Sequence, residues 1–328
     1  MLNKPFDPST QTARRLPPIY SWPASVHQFD DDSIWAVNAA LGAGRPLLVR
    51  GEPGIGKSQL ARAVADVLGV PFLYHVIDAR CECDDLLYTY DAVSRLAQAQ
   101  LLGAAQEAGD WKAELAESKF IQPGLLWWAF NWESAQAQAG LYCRRCEAPP
   151  RPKNWKPGDG CVVLIDEIDK ADSDVPNGLL ESLGNTGFRV PLTGGTVARP
   201  ETGQPPLVVV TTNEERELPA AFVRRCLVLQ MNFPDGEDRQ LEFLTQRARN
   251  HATGEEIADA VLRKAAEQLL KDRRDAERLG PVRPGAAEYL DLVKALVEIA
   301  KGDTNGQLEV LETIKRFAFR KNPERSSS

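Results

Sequence analysis

Apolar residues fall into short unbroken runs through the first two thirds of the chain and into helical stripes through the last third. Leu47-Leu48-Val49, Val162-Val163-Leu164-Ile165 and Leu207 to Val210 carry no polar alternation, as strands covered on both faces do. Val70 to Ile77 and Leu227 to Met231 read as two further strands. Helical spacing appears at Ile34, Val37, Ala40 and Leu41, predicting a helix started near Asp32 or Ser33. It recurs at Leu60, Val64, Val67 and Leu68, and again at Leu179, Leu180 and Leu183. Phe188 to Leu192, with Gly194-Gly195 at the tip, reads as a hairpin over about residues 188–197.

Phe233-Pro234-Asp235 ends the strand signals. Helices are expected from about Glu237 to Asn250, Glu255 to Lys271, Gly285 to Lys301 and Gln307 to Phe319, the last with Leu308, Leu311, Ile314 and Phe317 in one stripe. The domain plan is a Pro-rich surface arm over residues 1–20, an α/β domain over 21–233, a helical domain over 234–322 and a frayed tail over 323–328. Residues 95–160 interrupt the alternation of strands and helices, and five tryptophans fall there: Trp111, Trp127, Trp128, Trp132 and Trp155. Leu125, Trp128, Ala129 and Trp132 share a helical face, which reads as packing rather than as a ligand box.

Composition narrows the function classes. The 328 residues suit two domains, and 43% hydrophobic with 26% charged residues is ordinary globular material. A net charge of −7 provides no general field for nucleic acid or anionic lipid. No run reaches the length of a membrane span, and Met1 to Pro5 lacks the apolar stretch of a secretion signal. A cytoplasmic protein is expected. Of six cysteines, Cys143 and Cys146 have the spacing of half a zinc site, but no second pair follows, so free thiols are expected.

The strand Leu47-Leu48-Val49 runs into Gly51-Glu52-Pro53-Gly54-Ile55-Gly56-Lys57-Ser58, a complete G-x-x-x-x-G-K-[ST] loop followed by a helix. Its glycines permit the tight fold that turns backbone amides toward phosphates. Lys57 is the cation for the terminal phosphates, and the Ser58 hydroxyl is an oxygen for Mg²⁺. The run 162–165 ends in Asp166-Glu167, where a carboxylate at a strand's C-terminal edge can serve Mg²⁺ and the next can polarise an attacking water. Leu207 to Val210 ends in Thr211-Thr212-Asn213, whose amide can orient that water or touch the γ-phosphate.

These segments, in this order, resemble a MoxR-family AAA+ ATPase of the clade with dynein-related and McrB-like modules. The likeness covers about residues 20–320: Walker A at 51–58, Walker B at Leu164 to Asp169, sensor 1 at Asn213, and an arginine-finger element from Glu217 to Cys226. It implies a parallel-sheet αβα core followed by a small all-helical lid, with ATP and Mg²⁺ bound at subunit boundaries of a ring, usually hexameric. Gln59 joins the loop and Asp166 among the nucleotide contacts. The finger is expected to be Arg225, with Arg224 its close rival, and Arg283 is the sensor 2 candidate before a lid helix. The familiar Ser-Pro-Arg of many MoxR proteins is absent around Arg283. Insertions at 95–160 and 188–197 resemble family insertions facing the ring pore or a partner. The resemblance implies remodelling of a protein partner, often one with a von Willebrand factor A domain. The alternatives are a nucleic-acid motor or GTP-using restriction subunit, or a nucleotide-gated scaffold.

Overall fold

The computed structural model describes residues 6–7, 13–105, 110–252, 256–279 and 283–319. They form two compact units. One comprises Asp30–Arg50 and Ser58–Leu229 with Phe6 and Asp7; the other comprises residues 13–29, Gly51–Lys57 and residues 230–319. The helical unit thus starts four residues before the expected boundary and recruits two earlier segments, one of them the glycine-rich loop.

In the first unit, helix α1 (Asp31–Ala43) begins one to two residues before its expected start, because Asp30 is the capping residue. Its carboxylate accepts the Ser33 N–H at 2.7 Å, and the Ser33 hydroxyl accepts the Asp30 N–H at 3.1 Å. Such reciprocal capping satisfies two amides that the helix itself leaves unbonded. Asn38 on α1 exchanges backbone bonds with Phe6, fixing that ring in the core. Strand β1 (Leu47–Gly51), helix α2 (Lys57–Leu68) and strands β2 (Phe72–Val76), β3 (Val162–Asp166), β4 (Leu207–Thr212) and β5 (Leu227–Met231) follow. They make a five-stranded parallel sheet in the order β5-β1-β4-β3-β2, flanked by helices.

The registers explain the unbroken apolar runs. Val209 lies beside Leu47 and Val210 beside Ile165, so central strands have neighbours on both edges and helices on both faces. Every residue of β3 and β4 is buried, including Asp166, Thr211 and Thr212 at the ends. Parallel strands end on one edge, which is where these polar side chains gather.

Residues 95–160 build much of this core. The expected helix through Trp132 is broken at Asn131 into Leu125–Phe130 and Trp132–Leu141, because the Asn131 side chain caps the second by accepting the Ser134 N–H at 3.0 Å. Trp132 packs edge-on against Trp128 and Trp155, with ring centroids 5.1 and 4.6 Å apart. Strands Gly187–Val190 and Gly195–Ala198 pair as the hairpin, with Gly194 turning in the left-handed region.

The second unit holds helices α3 (Glu237–His251), α4 (Asp259–Leu279), α5 (Ala286–Ile299) and α6 (Thr304–Phe319). Leu244, Leu262, Leu269, Tyr289, Leu296 and Leu311 form its core. Helix α4 continues well past Lys271, although the apolar stripe fades; long charged side chains there favour helix without needing burial. The expected surface arm is corrected in part: residues 13–16 are a strand paired antiparallel with Ser25–Gln28, with Leu16 buried. The rest of that arm at 1–5 and 8–12, and the tail at 323–328, lie outside the described residues. No helix among the described residues is long and apolar enough to cross a membrane.

Candidate functional site

Within the first unit, polar side chains at the ends of β3 and β4 form one bonded group. Ser58, in the first turn of α2, donates its hydroxyl to Asp166 Oδ1 at 2.9 Å. Thr211 also donates to Asp166 Oδ1, and its oxygen accepts the Glu167 N–H at 2.9 Å. Asp166 is only 8% exposed, so these bonds offset the cost of burying its carboxylate. Glu167 departs from the strand in the left-handed region, at φ 59° and ψ 46°. That turn is uncommon for a residue with a side chain.

The Glu167 carboxylate is held from two sides. Lys170 Nζ donates to Oε2 at 2.5 Å, and Asn213 Nδ2 donates to Oε1 at 3.4 Å. The bond to Glu167 raises the Lys170 pKa above its ordinary value. Asp169, 2% exposed, accepts the backbone N–H groups of Asn213 at 3.1 Å and Glu215 at 3.0 Å. It shapes the turn that carries Asn213, together with Thr212, whose hydroxyl accepts the Glu214 N–H at 2.9 Å.

The arginine element is a short helix, Ala220–Arg225. Arg45 satisfies its last carbonyls, donating Nε to Arg225 O at 3.0 Å and Nη2 to Arg224 O. The Arg225 guanidinium donates to Leu180 O at 3.3 Å. Arg224 lines an open depression with Arg50, Thr212, Glu214, Arg216 and Glu217. Gln59 accepts from Arg62 at 3.5 Å.

The glycine-rich loop belongs to the second unit. Gly51, Gly54 and Gly56 have φ of 146°, 76° and 105°, a backbone that side chains disfavour. A Cβ on Gly51 would lie 2.1 Å from Met231 O. Lys57, 6% exposed, donates its ammonium to Gly51 O at 2.7 Å and Glu52 O at 2.9 Å. Arg283 is exposed two residues before Gly285, the cap of α5.

Thr211, Asp169, Lys170 and Arg45 were not singled out by sequence. The hydroxyl pair after an apolar strand was a usable signal for Thr211. Nothing local marks Asp169, because its partners lie over forty residues downstream.

A family model described as "AAA domain (dynein-related subfamily)" matches residues 46–226. A comparison with curated proteins finds no match. Among solved structures, a variant of RuvB from Thermotoga maritima is similar at 18% identity and a TM-score of 0.43, covering 87% of this chain and 68% of that one. Thermotoga maritima RuvB described as a Holliday junction branch migration motor gives 18% identity and a TM-score of 0.40, covering 86% and 67%.

Proposed function

The chain belongs to the dynein-related subfamily of AAA domains, and from that membership we propose an Mg²⁺-dependent ATPase of MoxR type. ATP is the substrate, and its hydrolysis in an oligomeric, hexameric ring remodels or activates a protein partner such as a von Willebrand factor A-domain protein, in the cytoplasm. The observation that carries the catalytic part is the 2.9 Å bond between Ser58 and Asp166. It joins the hydroxyl following the phosphate-binding lysine to the carboxylate ending β3. Those two hard oxygen donors suit Mg²⁺, which prefers carboxylate and hydroxyl ligands. Mg²⁺ held there would neutralise phosphate charge during the reaction.

The loop amides and Lys57 bind the phosphates, and the positive-φ glycines leave room for them. Glu167 takes the proton of the attacking water, and Asn213 orients both. The 2.5 Å contact with Lys170 supports a fixed carboxylate in that role. An arginine from a neighbouring subunit, Arg225 or its rival Arg224, offsets charge on the transferred phosphoryl group. Arg283 serves as the lid's contact to the nucleotide.

The test is ATP hydrolysis by purified protein with and without Mg²⁺, alongside sedimentation with a nonhydrolysable analogue. Mg²⁺-dependent phosphate release and nucleotide-driven assembly are expected. Assembly without any turnover would replace the enzyme with a nucleotide-gated scaffold. Turnover stimulated by DNA or supported only by GTP would favour a nucleic-acid motor or restriction subunit.

A further inference from the structure

Four consecutive residues of the phosphate loop each meet a residue of the helical unit. Glu52 Oε2 accepts from Arg273 Nη2 at 2.7 Å. A Cβ added at Gly285 would lie 3.0 Å from Pro53 O, and one added at Gly54 would lie 2.8 Å from Ala287 Cβ. Ile55 O accepts from Arg247 Nη1 at 2.8 Å.

The two arginines are themselves held. Arg273, its side chain only 11% exposed, also donates to Pro284 O at 2.6 Å and lies over the Phe233 ring at 4.2 Å. Arg247 lies over Phe243 at 4.1 Å, and the two phenylalanines pack together with centroids 5.4 Å apart. A guanidinium stacked on a ring and bonded to oxygen, as both are and Arg273 to two oxygens, has little freedom left. It is therefore a fixture for the loop rather than a mobile contact to phosphate.

We propose that Arg273 and Arg247 are positioning residues that hold the phosphate loop from both ends in its anion-accepting shape, with the start of α5 pressed between them. The loop is short and glycine-rich, and glycine leaves many backbone conformations open, so contacts from outside the loop narrow what its own bonds do not fix. Preset amides bind phosphate without an ordering cost at the moment of binding. These two arginines thereby act on ATP affinity through the loop rather than by touching ATP themselves. This inference rests on the ATPase reading for its substrate.

The experiment compares wild type, Arg273→Gln, Arg247→Gln and the exchanged pair Glu52→Arg with Arg273→Glu. Amide hydrogen exchange across Gly51–Lys57 is measured without nucleotide, then the Kd for a fluorescent ATP analogue, KM and kcat. Faster loop exchange is expected in both single variants, with Kd and KM raised about tenfold, the size of one lost charge-assisted bond. The exchanged pair should recover slow exchange and much of the affinity, which general loss of lid packing would not allow. Unaltered loop exchange in two folded single variants would overturn the inference. So would a fall in kcat at constant KM, which would put these arginines at the chemistry instead. A wild type that binds no ATP would sink the ATPase reading separately, leaving loop exchange to decide the clamp.

Discussion

Ser58 donates its hydroxyl to Asp166 across 2.9 Å, joining positions 108 residues apart. One is the first polar side chain after Lys57, the other the last residue of β3. Ser58→Ala and Asp166→Asn are expected to raise the Mg²⁺ concentration for half-maximal hydrolysis by roughly 10- to 100-fold, as losses at a metal's ligand set do. A Mg²⁺ titration at saturating ATP measures this. An unmoved midpoint in both variants would take the metal away from this pair.

Glu167 is gripped by Lys170 and Asn213. Glu167→Gln is expected to lower kcat by about 10² or more while leaving the ATP Kd nearly unchanged, since only proton transfer is lost. Lys170→Met should lower kcat about tenfold at constant KM, because the carboxylate loses its fixed orientation. Steady-state kinetics with a direct binding assay separates the two effects. Equal kcat in Lys170→Met would mean that the ion pair only steadies the turn.

Arg225 bonds Leu180 O and Arg224 faces an open depression, so either can reach outward from the short helix that Arg45 closes. Arg225→Ala is expected to bind ATP and lose about 10³ in turnover, the scale for an arginine finger. Mixing it with Glu167→Gln should recover activity if the proposed ring forms, because its mixed interfaces would pair one intact Glu167 with one intact arginine. No recovery would argue that the arginine serves its own subunit. Arg224→Ala, run in parallel, decides between the neighbours.

His27, on the strand Ser25–Gln28, is buried, and burial followed by the nearby Arg247 charge lowers its pKa to about 3. The folded value lies below the unfolded one, so its stabilising contribution is whole above about pH 6.5 and is lost as pH falls toward 3. At pH 5 the loss relative to pH 7.5 is about 2 kcal/mol for this one proton. His251 shifts in the same direction, through burial first and then Arg247. Urea unfolding of His27→Phe at both pH values should show a smaller pH difference than wild type. An identical difference would assign the acid sensitivity elsewhere.

Much of the architecture is legible as pattern. Val162 to Ile165 and Leu207 to Val210 read as buried strands because burial on both faces removes polar alternation. Asp30 was less visible as a cap, since Asp31, Asp32 and Ser33 are also good caps and only backbone geometry chooses among them. Asn131 broke an apolar face that looked continuous, because a side-chain cap outcompeted one more helical turn. The Arg14-Arg15 stretch looked like a polar arm, yet pairs as a strand whose partner lies beyond a Pro-rich turn.

The sequence by itself determined the strands, the glycine-rich loop and the carboxylates after β3, since each depends on neighbours within a few residues. Tertiary structure alone decided that Thr211 would bond Asp166, that Asp169 would shape the turn bearing Asn213, and that Arg273 would reach Glu52 from 221 residues away. Hydrophobic periodicity and turn chemistry are local and leave a readable trace. A bond between distant polar groups leaves none, because it is set by how whole elements pack and by the cost of burying either partner alone.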